Sequence, residues 1–387
     1  MHKITFFPLC KEGARPANAE TFRIDLNNGS RKILGDFACT HNPDDTYELR
    51  CDLPQLLRDD LKATNRDYYD VVMFTHLDDD HVCGAGEFFY FERYTNRQSA
   101  DRIKINELWV PAAAICETNL DNDAELIRAE ARYRLKQKKG IKVFSAPKSL
   151  TKWCEDNDLD IEELQRLGLV IDAGNLVPGF DLYRDGAEFF VHSPFAYYTD
   201  DGQTIIRNRD AIVMQVTFEV SGELTRFLIT ADVKYDVLDD IVMMTQYHNN
   251  EERLTWDIID LPHHSSYTGV GPEKGESKTD PSEGVKWLHK AGSKRGILVS
   301  SSCCIPLLDT VQPPHVQAAR YYEDVARDIG QGNFYDEGVF VVTMEYPTKG
   351  APKPLVIEIT SGGAALVKQS IASVGAAAVA VSAPRVG

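Results

Sequence analysis

The sequence predicts an α/β protein: one large domain built from two sheets in an αββα arrangement. Three observations predict it. Short apolar runs bounded by turn residues recur along the chain and read as strands, with longer helical segments between them. Histidines and aspartates stand directly after several of these strands, so the chemistry gathers at strand ends. A chain of 387 residues, 43% hydrophobic with mean hydropathy -0.31, is long for an average domain but suits a two-sheet fold with insertions.

In chain order, residues 3–9 and 21–26 read as strands, and Asn27-Asn28-Gly29 turns the second into a third at 32–34, a hairpin with the expected turn residues. Asp36, Asp44 and Asp45 follow; they could face the site at the strand ends, but read first as ordinary loop acids. Residues 53–61 read as a helix and 68–74 as the apolar strand that delivers the main motif. After it come a strand at 105–111, a long helix at 121–139 closed by Gly140, and a shorter helix at 161–167. Residues 112–170 are expected to form a helical insertion or cap. In the second half, a strand at 187–191 ends in His192-Ser193-Pro194. Strands at 208–220 and 223–230 turn at Ser221-Gly222 and stop at Ala231-Asp232. A strand at 256–261 leads into Pro262-His263-His264-Ser265, and one at 296–302 precedes Gln312-Pro313-Pro314-His315 and a helix over 316–329. Residues 339–344 and 355–359 are expected to close the domain, 1–361, as a hairpin. Residues 362–387, rich in Ala, Gly, Val and Ser, read as a low-complexity tail.

The stretch Thr75-His76-Leu77-Asp78-Asp79-Asp80-His81 carries the most information. Ionisable side chains crowded at the end of a core strand repel one another and resist burial, and a divalent cation answers that need. His76, Asp78 and Asp80 alternate at period two and can point the same way off an extended segment, with His81 opening the next helix. Such a spread can feed two adjacent ions. The plainer reading is an acidic surface loop with two chance histidines.

Composition excludes several classes. No apolar run is long enough to cross a bilayer, and residues 1–8 lack the pattern of a signal peptide. Eight scattered cysteines without a C-x-x-C pair suggest neither a disulfide framework nor a thiolate zinc site, so reduced thiols in a cytoplasm are expected. A formal charge of -17 opposes non-specific nucleic-acid binding unless a local basic patch exists. The one concentration of basic residues, Arg128 to Lys142, reads first as the solvated face of a helix and second as such a patch.

The spacing H-x-D-x-D-H resembles the second motif of the metallo-β-lactamase superfamily, in the form carried by the metallohydrolase domain of ComEC-type DNA-uptake proteins and their soluble relatives. The later Ala231-Asp232, Pro262-His263-His264 and Pro314-His315 segments resemble further motifs of that family in the same order. Two departures stand out: Lys11 to Ala17 replaces a G-x-G-D loop, and Ser265 replaces a Gly. The resemblance implies a four-layer αββα sandwich and two divalent metal ions, zinc with manganese as the alternative. His76, Asp78 and His192 would hold one ion, and Asp80, His81 and a histidine of the Pro-His-His motif the other. Asp232 would bridge them. His263 is preferred as that ligand, with His264 touching substrate or supporting from behind. His192 could instead be a hydrogen-bonded strand-end histidine, and Asp232 a helix cap. His264 or His315 would serve the leaving group or the developing oxyanion. The implied activity is a phosphodiesterase or nuclease acting through a bridging hydroxide. An ester, thioester, lactone or amide hydrolase of small molecules is the alternative, and a non-catalytic scaffold is a third reading. The expected partners are an anionic phosphoester or small-molecule substrate, with nucleic acid only through the basic patch and no membrane.

Overall fold

The computed structural model describes residues 1–11, 17–45, 47–196 and 205–369. The chain opens as an antiparallel meander of β1 (His2–Phe6), β2 (Phe22–Leu26) and β3 (Arg31–Gly35), turned at Asn27–Gly29 as expected. Helix α1 (Leu53–Ala63) starts where the Asp52 carboxylate accepts the Gln55 amide and a proline fills the first turn, and it buries Leu53, Leu57 and Leu61 at helical spacing. Each such leucine contributes roughly 1.5–3 kcal/mol. There follow β4 (Tyr68–Met73), the short α2 (Asp79–Val82) and α3 (Ala85–Phe88), β5 (Lys104–Pro111), α4 (Ala112–Cys116), α5 (Asn122–Lys136), β6 (Ile141–Phe144), α6 (Lys148–Glu155), α7 (Ile161–Arg166) and β7 (Val170–Ile171). The second half contains α8 (Leu182–Asp185), β8 (Ala187–Ser193), β9 (Val213–Val220), β10 (Glu223–Ile229), α9 (Tyr235–Tyr247), β11 (Trp256–Asp260), α10 (Glu283–Lys290), β12 (Gly292–Ser300), α11 (Val316–Asp328), β13 (Val339–Val342), β14 (Leu355–Thr360) and β15 (Gly363–Leu366).

These strands form a nine-stranded sheet in the order β15-β14-β1-β2-β3-β4-β5-β6-β7 and a six-stranded sheet in the order β13-β12-β11-β10-β9-β8. Alternation along each strand produces the layers. Val71 and Met73 of β4 face the second sheet and pack in one core with Phe227, Ile258 and Val299, whereas Val72 faces out onto α1 and α5. Likewise Leu228, Ile259 and Leu298 face outward beneath α9, α10 and α11. The protein is therefore a four-layer αββα sandwich, as expected. Strands β3 to β7 run parallel, as do β10 to β13. The carboxyl ends of β4, β10, β11 and β12 meet at one edge, where ligand sites of open parallel sheets form.

Three expectations are corrected. Residues 112–170 do not stand apart as a cap: they supply β6, β7 and the crossover helices that extend the first sheet. The closing strands do not pair with each other, because β13 joins β12 in the second sheet and β14 pairs with β1 in the first. The tail begins later than residue 362, since β15 is an edge strand on β14, and residues 370–387 lie outside the described residues. The basic segment divides: Lys136, Lys138 and Lys139 are exposed, as a solvated face requires, while the other four turn to the protein. Arg128 and Arg132 donate to the carbonyls of Glu117 and Ile115, buried Arg134 pairs with Glu130, and Lys142 donates to the Gly168 carbonyl. Among the described residues no helix is long and apolar enough to cross a membrane, and no cysteine is in a disulfide.

Candidate metal centre

The strand β4 ends at Met73, and the chain then carries Thr75 and His76 into the sheet edge before Asp78 opens α2 in extended conformation. His76 and His81 are buried, their rings 4.1 Å apart between centroids. Asp36, in left-handed conformation (φ 54°) just after β3, holds this turn. Its carboxylate accepts the Thr75 amide and hydroxyl at 2.7 Å each, and its Oδ2 lies 2.8 Å from His81 Nδ1. That bond fixes the ring so that Nε2 is the nitrogen presented to the site. Asp36 is thus no ordinary loop acid.

Asp232 reaches the same edge from the end of β10, behind Ala231 at φ 47°. Its Oδ1 lies 3.5 Å from His81 Nε2 and 3.5 Å from His264 Nε2, while its Oδ2 faces His263 Nε2 at 3.8 Å. Adjacent histidines ordinarily diverge. Here His263 (φ 51°), His264 (φ 53°) and Ser265 (φ 59°) are all left-handed, which turns both rings to the two oxygens of one aspartate. The conformation costs roughly 1–2 kcal/mol per residue. Bonds on every side hold it: His263 N–H to the Ala231 carbonyl, His264 Nδ1 to the Ser301 carbonyl at 2.7 Å, and His315 N–H to the Ser265 carbonyl.

The geometry orders the ligands differently from the expected scheme. His264, buried and 3.2 Å from Asp80 Oδ2, belongs to the deep group with Asp80, His81 and Asp232. His263 is partly exposed and lies on the outer side of Asp232. The preference for His263 as the ligand beside His81 is therefore reversed. His192 is not brought in at all. It stands at the correct strand end but, with Ala187, Phe189 and Val191 facing the inter-sheet core, the alternation of β8 turns it outward toward α9. There its Nε2 donates to the Arg253 carbonyl at 2.9 Å, and burial pushes its pKa down to about 4. It is the hydrogen-bonded strand-end histidine. His315 is also withdrawn from the catalytic role: its Nδ1 accepts the Tyr267 amide and its Nε2 faces the Val311 carbonyl, so it braces the Pro-His-His turn.

The donor set fits a metal. His76 Nε2, His81 Nε2 and Asp232 Oδ1 are buried and have no hydrogen-bond partner. Glu20, His81, Asp232 and His264 each offer a ligand atom, all within 4.8 Å of one another. Separations of 3.2–4.0 Å among Asp80, His81, His264 and Asp232 bracket the spacing of about 3.3 Å between two ligands on one tetrahedral ion. Burial opposes charge on both partners, yet Asp232 and Asp36 raise His81 well above its ordinary range, and His264 and His81 hold Asp232 well below its own.

Three neighbours carried no sequence signal. Glu20, before β2, is fully buried 3.9 Å from His264 Nδ1; burial and Asp260 raise its pKa well above the carboxylate range. Burial likewise lifts Asp260 to about 6, and the Ser301 hydroxyl donates to its Oδ1 at 3.4 Å. Arg207 binds Asp78 from outside. The centre opens into a cleft of about 410 Å³ edged by Asn18, Thr40, Asp79, Cys83 and Gln312. Burial and Asp79 push the Cys83 thiol up to about 12, so it is no nucleophile there.

No family model and no curated protein sequence matches the chain. Solved structures do. Unliganded yeast PDE1 is 10% identical over 88% of this chain and 97% of its own, with TM-score 0.42. Tm1679, a metal-dependent hydrolase of the β-lactamase superfamily, is 10% identical over 93% of this chain and 100% of its own, with TM-score 0.37. The metallo-β-lactamase fold protein YhfI from Bacillus subtilis is 11% identical over 92% of this chain and 98% of its own, with TM-score 0.35. Likenesses this distant say nothing of the substrate of the present chain.

Proposed function

We propose that this αββα protein of metallo-β-lactamase-like fold is a metal-dependent hydrolase that holds two divalent ions, zinc or manganese, and cleaves a small phosphodiester. The observation that carries this reading is the convergence of three buried ligand atoms without partners, on His76, His81 and Asp232, with Asp80, His263 and His264 around them. His81, His264, Asp80 and Asp232 would hold the deep ion. His76, Asp78, His263 and the second oxygen of Asp232 would hold the shallow one, His263 standing where His192 was expected. When bound, such ions polarise the scissile bond and make water acidic enough to attack near neutral pH.

The chain's own residues do the rest. Asp36 and the Ser301 carbonyl fix the two deep imidazoles so that each presents Nε2. Asp232 would serve both positions, since one of its oxygens faces His81 and His264 and the other faces His263. Glu20 and Asp260 are buried beside His264, and burial opposes charge on both carboxyls. With His264 and His315 both committed, neither reaches a leaving group, and the open cleft lets water supply that proton. Gln312 edges the cleft, whereas Asn18 and Thr40 beside it already bond to Pro313, Cys303 and Leu9 and shape its wall.

Among the described residues no lysine or arginine lines the cleft, which supports an anionic substrate held chiefly by the ions. With Arg128, Arg132 and Arg134 of α5 bonded within the protein, this favours a compact phosphodiester over duplex nucleic acid. A lining without basic side chains among the described residues also supports a second reading, hydrolysis of a neutral ester or lactone.

The test is hydrolysis of bis(p-nitrophenyl) phosphate by metal-quantified protein, zinc and manganese separately, with Asp232→Ala alongside. Turnover in the wild type that falls to background in the variant is the expected result. A two-ion protein inert toward the phosphodiester but active on p-nitrophenyl acetate or a lactone replaces the first reading with the second.

A further inference from the structure

Asp78 is the most exposed of the aspartates in the centre, its side chain 35% accessible, and a carboxylate so placed explores several rotamers unless it is held. Arg207 holds it. The guanidinium lies in the turn before β9, donates to Asp78 Oδ1 at 2.7 Å and to the Leu77 carbonyl at 3.2 Å, and is itself gripped by Glu117 at 2.8 and 3.0 Å. Glu117 follows directly on α4. With Oδ1 thus engaged, Asp78 Oδ2 faces His76 Nε2 at 3.5 Å, a nitrogen with no hydrogen bond.

We propose that Arg207 is a positioning residue for the shallow metal ion, acting through Asp78; this rests on the two-ion reading above. Two effects oppose each other. A cation beside a metal ligand repels the metal, whereas a two-point grip on Asp78 and the Leu77 carbonyl preorganises the ligand. Glu117 decides between them. Arg207 with Asp78 and Glu117 sums to one negative charge, the same as Asp78 alone, so the repulsion is largely cancelled while the orientation remains. The fork of the guanidinium matters here, since a lysine ammonium cannot bond both carboxylates and the carbonyl in this fixed geometry.

The experiment is calorimetric titration of metal-stripped full-length protein with Mn²⁺ and with Zn²⁺, using wild type, Arg207→Gln, Arg207→Lys and Glu117→Gln, with melting of each metal-free protein as the folding control. The expected result for both Arg207 variants is an unchanged first ion and a second ion weakened about ten-fold or more, the scale of losing a group that orients a ligand. Glu117→Gln, which leaves the guanidinium charge uncompensated, weakens the second ion as well. A merely structural role would lower melting without separating the two ions. If the Gln variant does not fold, the Lys variant, which keeps the charge, carries the test. Equal or tighter binding of the second ion in the Arg207 variants overturns the role of Arg207 alone. A wild type that takes up no second ion at any concentration overturns the two-ion reading and this role with it.

Discussion

At the scale of single residues, what sets the centre is which nitrogen or oxygen each side chain has left over. His81 spends Nδ1 on Asp36 and His264 spends Nδ1 on the Ser301 carbonyl, so both offer Nε2. Asp36→Ala should therefore lower affinity for the deep ion by about 10–100-fold, read by equilibrium dialysis against a competing chelator. His192 supplies the contrast. Its Nε2 is spent on the Arg253 carbonyl and its ring faces α9. His192→Ala should leave metal uptake unchanged and cost about 1–3 kcal/mol of stability, because a buried carbonyl loses its donor. Loss of an ion in that variant would restore His192 to the ligand set. The histidines were readable in the sequence as types at strand ends. Which of them faces inward was not, because a one-residue step along β8 moves a side chain to the other face of the sheet.

At the scale of elements, the metal-bearing turn is fastened by a helix that lies far from it in sequence. Asp123, in the first turn of α5, accepts the Gly84 amide at 2.7 Å and the Gly86 amide at 2.9 Å, between α2 and α3. Gly84 is left-handed (φ 84°), and a Cβ there would lie 2.6 Å from the Cys39 side chain. Asp123→Ala should leave two amides unpaired. The expected outcome is faster hydrogen exchange at Gly84 and Gly86 and a loss of about 1–3 kcal/mol in urea unfolding; unchanged exchange at both would show that the turn holds itself. The helix start near residue 121 was legible from its periodicity. Its task was not, since nothing local in sequence marks Asp123 as a clamp for a loop 39 residues earlier.

At the scale of the whole molecule, burial of neutral histidines makes stability depend on pH. His289, packed among Tyr321 and Tyr322 with Nδ1 on the Tyr321 hydroxyl, is pushed down to about 3 by burial. An unfolded histidine titrates near 6.5, so between those values the unfolded chain binds the extra proton and stability falls as pH falls. Each such group contributes up to ~1.4 kcal/mol per pH unit. Urea midpoints of metal-free protein between pH 4 and 7 should show this slope, and His289→Phe should flatten it. A slope identical in the variant would place the proton uptake elsewhere.

By itself, the sequence determined the class of the fold, the strand ends that carry polar residues, and the residue types of the centre, since strand period, turn residues and the clustering of His with Asp are local properties. Only the tertiary structure decided the membership and roles. It brought Glu20, Asp36 and Arg207 to His264, His81 and Asp78 from distant segments, turned His192 and His315 away, split the last strands between two sheets, and folded residues 112–170 into the first. The physical reason is the same in each case: period and composition fix what a segment can be, but the face a side chain presents and the partner it meets follow from packing between segments far apart in the chain.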